Sequence, residues 1–217
     1  MQIGGLTIEQ LPNPKIRRCY QDLIRKAKSI TYKLDIINAM HTDLINKLPS
    51  ISESDDIILA GEIADIFEKI YSCMEYVAMI FKELYRYRGE IQAKFHSLLQ
   101  KTIKNKDTSS IYADKKIFDF VDRSLEWYAI VHDIRSEETH FSNGKIITQD
   151  SKIFYRIDRQ TGRETVYDLI RIYKKLPSER EVEYKLEVLD VTRIYLSFIN
   201  SIQQLERIIL AMNEVQN

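Results

Sequence analysis

Apolar residues recur at every third or fourth position along most of this chain, which is the spacing of one face of an α-helix. The last such stretch begins at Asp190, which is expected to cap the final helix. The residues before the first helix contain Gly4-Gly5 and Pro12-Asn13-Pro14, and they predict a loose arm over residues 1–14. Before residue 145 the pattern predicts four helices, which begin near Lys15, at Ser54 or Asp55, near Glu90, and at Ala113 or Asp114.

The pattern changes after Gly144, where apolar and polar residues alternate as they do in a half-buried β-strand. Residues 145–148 and 153–157 lie on either side of a short polar turn, which predicts a β-hairpin. Alternation over residues 182–188 predicts a further strand. Residues 165–176 fit either a helix or a strand, and we favour a helix there.

Together these elements predict a mainly α fold, an antiparallel helical bundle with a small inserted β-sheet at roughly residues 145–189. A length of 217 residues is that of one domain, so residues 1–217 are expected to form a single domain that carries the β-containing insertion. The composition agrees with a helical globular protein, because 44% of residues are hydrophobic and the chain has only 6 glycines and 4 prolines.

Charge and cysteine content limit the classes of function. Lys and Arg total 32, as do Asp and Glu, so no bulk attraction to nucleic acid is expected and any RNA binding must be local. Cys19 and Cys73 lack the spacing of a metal site, which indicates a reducing compartment. No apolar run of membrane-spanning length and no signal-peptide pattern is present, so we expect a cytoplasmic protein without membrane association. The motifs of nucleotide-driven and zinc enzymes are missing, so neither a metal nor a cofactor is expected.

The most distinctive chemistry lies at the end of the fourth predicted helix, where Arg135 and His140 stand five positions apart. Arginine stays protonated and its planar fork of donors suits phosphate, while histidine takes up or releases a proton near neutral pH. Cleavage of an RNA phosphodiester needs both functions, because the ribose 2′-OH loses a proton as it attacks and negative charge develops on the phosphorane. Arg135 and His140 are therefore candidate catalytic residues for metal-free cleavage.

The spacing of this pair sets a geometric condition. Five positions along a helix separate two side chains by about 140°, so one straight helix does not present both to one phosphate. The pair meets only if the helix ends between the two residues, as Ser142-Asn143-Gly144 indicates, or if a second copy completes the site across a two-fold axis. Glu137 and Glu138 lie between them and either modulate the proton affinity of His140 or are solvated.

An apolar helix that runs into Arg135, four intervening residues and His140 resembles the HEPN superfamily, whose motif is an Arg followed four to six residues later by a His. The resemblance covers roughly residues 56–145 and the last helix. It implies a small helical bundle that dimerises through the motif helix, and often a metal-independent ribonuclease of a toxin–antitoxin or phage-defence system. The chain departs from the pattern at Ser136, where Asn, Asp or His is usual, and at Ser142, where one branch has Tyr.

Two hypotheses of function follow from these residues. In the first, the protein is an endoribonuclease that leaves 2′,3′-cyclic phosphate ends, with Arg135 stabilising the phosphate and His140 transferring the proton. Ser136 and His132 flank Arg135 and are the candidate substrate-binding residues; His132 either assists proton transfer or packs. In the second, the protein is a non-catalytic dimeric helical module that binds a partner protein, such as an antitoxin, or RNA, and Arg135 makes ordinary helix-end contacts.

Overall fold

Five α-helices account for most of the residues that the computed structural model describes, which are residues 3–48, 51–140, 143–159 and 183–213. A small three-stranded antiparallel sheet accompanies them. The predicted mainly α fold with a small inserted sheet is therefore confirmed. The helices are α1 (Pro14–Ile45), α2 (Glu53–Leu84), α3 (Phe95–Lys104), α4 (Lys115–His140) and α5 (Val188–Asn213).

The chain divides into two compact units, and each of the four long helices contributes residues to both. The first unit combines Met1–Lys28, Ser72–Tyr128 and Ser197–Asn217, and the second combines Ser29–Tyr71 and Ala129–Leu196. The first unit therefore contains the N-terminal segment and α3. The second contains the sheet and the end of α4, which carries the motif residues.

The N-terminal segment is anchored within the first unit, so the predicted loose arm over residues 1–14 is corrected for its described part. The backbone N–H of Gly5 donates to Glu206 at 2.8 Å, and that of Leu6 donates to the Tyr20 hydroxyl at 3.2 Å. The side chains of Ile3 and Leu11 are buried. Two backbone hydrogen bonds and two buried apolar side chains offset the entropy of ordering a segment whose glycines and prolines prevent a long helix.

Aromatic side chains form much of the core of the first unit. Phe95 on α3 packs edge-on against Tyr128 and Phe120 of α4, with ring centroids 4.7 and 6.1 Å apart. The single tryptophan, Trp127, is buried there and lies 6.2 Å from the ring of Phe198 on α5. Such T-shaped pairs add to the stabilisation from apolar burial, so Trp127 is a packing centre of this unit.

The sheet in the second unit has the order β1-β2-β3, with β1 at Lys145–Gln149, β2 at Lys152–Asp158 and β3 at Glu183–Glu187. Both neighbouring pairs are antiparallel, which confirms the predicted hairpin and the further strand. Asp150 and Ser151 form the two-residue hairpin turn with φ of 51° and 59°. Positive φ at both turn residues matches the twist of the flanking strands, which explains why a polar pair occupies this turn.

One face of β2 is buried and the other is not, as a period of two requires. The buried face consists of Ile153, Tyr155 and Ile157. The Tyr155 ring lies 6.2 Å from that of Phe67 on α2, so this face packs on helices of its own unit. At the edge of the sheet, the N–H of Ile146 donates to the carboxylate of Asp56 in the first turn of α2 at 2.7 Å.

The helix boundaries differ from the predicted ones in detail. The Ser52 hydroxyl accepts a hydrogen bond from the N–H of Asp55 at 3.2 Å, so Ser52 caps α2 instead of Ser54 or Asp55. Asp190 lies inside the first turn of α5, where its carboxylate accepts from the N–H of Glu187 at 3.1 Å. This is the acidic half of a capping box, so Asp190 stabilises the helix start without being its cap.

Two further results concern the extent of these elements. The predicted helix over residues 165–176 lies outside the described residues. Within the described parts of the chain, none of the helices combines the length and apolar character needed to cross a membrane.

Candidate functional site

Helix α4 continues without a break from Arg135 through Thr139 to His140, so the prediction that it ends between the motif residues is wrong. Thr139 donates its hydroxyl to the carbonyl of Arg135 at 2.8 Å, as is common inside a regular helix. On a regular helix, residues five positions apart are separated by about 7.5 Å along the axis and about 140° around it. Arg135 and His140 of one chain therefore point to different faces of α4.

Arg135 is held in a fixed position by two side chains of α2. Its Nε donates to the carboxylate of Glu68 at 2.9 Å, and its guanidinium carbon lies 4.8 Å from the centroid of the Tyr71 ring. A guanidinium stacks readily on an aromatic face, and the carboxylate fixes its rotation in the plane. Because the side chain is 29% exposed, the group is oriented but remains accessible from solvent.

The outer edge of this guanidinium is available for a ligand. Glu68 uses the Nε of Arg135, and in the part of the chain that the structure describes neither terminal amino nitrogen of Arg135 has a hydrogen-bond partner. A guanidinium with both terminal nitrogens open can donate two parallel hydrogen bonds to phosphate or carboxylate oxygens. The arrangement thus has the donor geometry of an anion-binding arginine.

His132 and Arg135 both lie near the ring of Tyr71. The imidazole of His132 lies 5.9 Å from the Tyr71 centroid, and its Nδ1 is 3.3 Å from the carboxylate of Asp133. The side chain of His132 is mostly buried, and Ser136, directly after the arginine, is half-buried. The structure therefore places His132 close to Arg135, and its contacts with Tyr71 and Asp133 are those of a packed histidine; the substrate-binding roles of His132 and Ser136 stay predictions.

Asp133 lies beside the candidate site, two residues before Arg135, and the sequence alone did not indicate it. It is 2% exposed and accepts hydrogen bonds from the Tyr184 hydroxyl at 2.8 Å and from Nη2 of Arg159 at 3.2 Å. The Arg159 side chain is 3% exposed and lies over the Tyr184 ring at 4.7 Å. Tyr184 comes from β3 and Arg159 follows β2, so a buried ion pair joins the sheet to α4 two residues before Arg135.

A second polar contact joins the sheet to α4 just beyond Arg135. The Tyr155 hydroxyl of β2 donates to Glu138, and the backbone N–H of Gly144 donates to the same carboxylate at 2.8 Å. Burial, with the hydrogen bond to Glu138, raises the pKa of the Tyr155 hydroxyl well above its usual range, so it stays a proton donor. The close approach needs a glycine at 144, because a Cβ there would lie 2.2 Å from the Tyr155 ring.

The two glutamates between Arg135 and His140 are not solvated, which corrects one alternative of the sequence analysis. Glu138 is bound to Tyr155 and Gly144, and Glu137 is 1% exposed. The partners of Glu138 lie in β2 and just before β1, which the spacing within α4 does not reveal. His140 itself is exposed at the last position of the helix.

Among residues 3–48, 51–140, 143–159 and 183–213, no three His, Cys, Asp or Glu side chains are grouped so that they could hold a metal ion. Near the end of α4 the described residues provide an oriented arginine, an exposed histidine and a buried acidic network. Comparisons with known protein families, with curated proteins and with solved structures find no match to this chain.

Proposed function

We infer that the protein is a HEPN-like, metal-independent endoribonuclease that acts as a homodimer formed through α4. The observation that carries this proposal is the state of Arg135, which is oriented by Glu68 and Tyr71 while its terminal amino nitrogens stay open. A donor fork held in place before substrate arrives stabilises developing charge without reorganisation at the moment of reaction. Arg135 is thus suited to hold the phosphate of a scissile RNA phosphodiester.

The second copy is required by the direction of His140. Because α4 runs unbroken through His140, the histidine of the same chain points away from the phosphate that Arg135 would hold. A two-fold axis beside the end of α4 brings Arg135 of one protomer and His140 of its partner into one cleft, and produces two such composite sites. Dimerisation through the motif helix is also what the HEPN resemblance implies.

The proposed reaction follows from these two groups. His140 takes the proton of the ribose 2′-OH, the 2′ oxygen attacks phosphorus, and the bond to the 5′ oxygen breaks with uptake of a proton from water. Arg135 stabilises the charge on the non-bridging oxygens during this step. The products are a 2′,3′-cyclic phosphate and a 5′-hydroxyl. Single-stranded or loop RNA is the expected substrate, because its backbone can align the 2′ oxygen in line with the leaving group.

The test is cleavage of a mixed single-stranded RNA pool by the purified full-length protein in excess EDTA. We expect cutting that leaves 2′,3′-cyclic phosphate ends, and a loss of about 100-fold or more in the His140→Ala variant, because general base catalysis contributes that much. Far-ultraviolet circular dichroism of both proteins controls for folding. The proposal fails if the wild-type protein cuts none of the pool, or if the variant cuts as fast as the wild type.

Glu68 allows a sharper test of the anion-binding role of Arg135. Glu68→Gln keeps an acceptor for the Nε of Arg135 but removes a negative charge beside the proposed phosphate. In a His140→Ala background that prevents cleavage, we expect short single-stranded RNA to bind about threefold tighter, measured by fluorescence anisotropy at low salt. Glu62→Gln is the matched control, since Glu62 lies on the same helix and pairs with Lys33. Equal affinity in the Glu68 and Glu62 variants would contradict an anion site at Arg135.

The alternative function is a non-catalytic dimeric module that binds a partner protein or RNA. The observation that favours it is the ion pair between Arg135 and Glu68, which already gives the arginine a carboxylate partner within one chain. A protein that dimerises, binds a partner and leaves RNA intact would support this alternative. For either function, the HEPN resemblance suggests a cytoplasmic role in a toxin–antitoxin or phage-defence system, with an antitoxin as one class of partner.

A further inference from the structure

A polar cleft lies in the first unit, on the parts of α4 and α5 that belong to it. Its volume is about 330 Å³, at the lower end of the range for ligand-binding clefts. Every lining residue is polar, two are arginines, and no acidic residue is among them. The lining residues are Arg123, Ser197, Asn200, Ser201, Gln203, Gln204 and Arg207.

The regular spacing of α5 builds one wall of this cleft. Asn200, Ser201 and Gln204 lie three, four and seven positions after Ser197 and so share a helix face with it. The nearly buried Ser201 hydroxyl lies 3.3 Å from that of Ser124 on α4 and donates to the carbonyl of Ser197 at 3.2 Å. Hydroxyl and amide side chains thus line this stretch of helix surface.

The two arginines of the cleft differ from Arg25 and Arg193 in having no ion-pair partner among the described residues. Arg25 and Arg193 are exposed and pair with Asp22 and Asp190, each at a distance of 2.7 Å or less. Arg123 and Arg207 are exposed as well, but within the described ranges neither has a carboxylate or other hydrogen-bond partner. Two arginines that form no ion pair with the described part of the chain and line a cleft without acidic residues attract an anion.

The chemistry of the lining indicates which kind of anion fits. Guanidinium, amide and hydroxyl groups bind phosphate and ribose oxygens, and such contacts position a nucleic acid strand without reading its sequence. The lining offers no aromatic or aliphatic side chain on which a base could stack, so a ligand would be held by its backbone and not by its bases. An isolated nucleotide or an apolar ligand would gain little from this lining.

We propose that the cleft formed by Arg123, Arg207 and the α5 amides is a backbone-binding site for single-stranded RNA, separate from the site at Arg135. That the strand is RNA rests on the proposed ribonuclease function, whereas the preference for a phosphodiester rests on the cleft alone. The site would hold a substrate strand independently of sequence, and it supplies the local RNA binding that a chain of zero net charge needs.

The test measures binding of a fluorescent 20-nucleotide single-stranded RNA to the full-length His140→Ala protein by anisotropy across a salt series. Arg123→Gln and Arg207→Gln should each weaken binding about fivefold, and the double variant about 20-fold, because each removes a charge-assisted contact. The double variant should also lower the slope of log affinity against log salt by about 1.4, which is two phosphate contacts on a single strand. Arg193→Gln, also on α5 but paired with Asp190, is the control for the change in net charge.

Each outcome decides between specific alternatives. The proposal is overturned if the parent protein does not bind the RNA, or if the double variant binds as tightly as the Arg193→Gln protein. All the substituted side chains are exposed, so unchanged melting temperatures are expected and separate binding from folding. If the wild-type protein cleaves no RNA but the double variant still loses affinity, the cleft stands and the ribonuclease fails. If cleavage occurs and the double variant binds normally, the ribonuclease stands and the cleft fails.

Discussion

Mixing two inactive variants, Arg135→Ala and His140→Ala, should restore RNA cleavage to about one quarter of the wild-type rate, because each of the proposed composite sites takes one residue from each protomer. In a homodimer of either variant, both sites lack one catalytic residue. In the mixed dimer, one site lacks both residues and the other is intact. Random exchange places about half of the molecules in mixed dimers, each with one of its two sites working.

The measurement is the initial rate of cleavage after the two variants, carrying different tags, are co-expressed or allowed to exchange subunits. A mixture of His140→Ala with the Arg135→Ala/His140→Ala double variant is the matched control, since its mixed dimers contain no intact site. Recovery of the mixed dimer through both tags shows that exchange took place. If mixed dimers form and cleavage stays absent while the wild type is active, Arg135 and His140 do not act together across two chains.

Replacing Asp133 by Ala should lower the free energy of unfolding by about 3–5 kcal/mol, which is the usual cost of breaking a buried ion pair from one side. The change removes a buried carboxylate that accepts hydrogen bonds from the guanidinium of Arg159, which is 3% exposed, and from the Tyr184 hydroxyl. Both groups are held away from water, so solvent does not replace the lost contacts. Denaturation by urea, followed by circular dichroism, gives the free energy of unfolding.

Asp158→Ala is the matched control for this destabilisation, because Asp158 pairs with Arg156 in the same sheet but is 51% exposed. An exposed pair contributes at most about 1 kcal/mol, so the two aspartates should differ clearly. Replacing the buried pair by apolar residues, Asp133→Leu with Arg159→Met, should recover much of the loss, because neither partner then stays charged and unpaired. Equal losses for Asp133→Ala and Asp158→Ala would show that the buried pair does not hold the sheet on α4.

The elements of the fold could be predicted because their signals are local. The helical period, the alternation after Gly144 and the polar Asp150-Ser151 turn each depend on neighbouring residues, and the structure contains the corresponding helices and hairpin. The N-terminal segment was predicted less well because its anchor, Glu206, is 201 residues away from Gly5. No local pattern encodes such a contact.

The candidate site likewise combines a motif that the local sequence reveals with contacts to residues far away in the sequence, which it does not reveal. The motif Arg135-x4-His140 can be recognised in the sequence. Whether its two side chains can meet within one chain depends on the residue at which α4 ends. The polar run Ser142-Asn143-Gly144 signals a helix end to within a few residues, which is too coarse for that question. The partners of Asp133 lie 26 and 51 residues further along, so its burial could not be anticipated from α4 alone.

The two polar contacts between the sheet and α4, at Asp133 and at Glu138, also affect the motion of the end of this helix. The last turn of a helix normally frays, because its carbonyls lack partners within the helix. Here Asp133 and Glu138 are hydrogen-bonded to Tyr184 and Tyr155 of the sheet on either side of Arg135, so α4 can unwind back past Arg135 only if both contacts break. The backbone that carries Arg135 is therefore held in place before any ligand arrives, and a binding partner does not have to supply the free energy of ordering it.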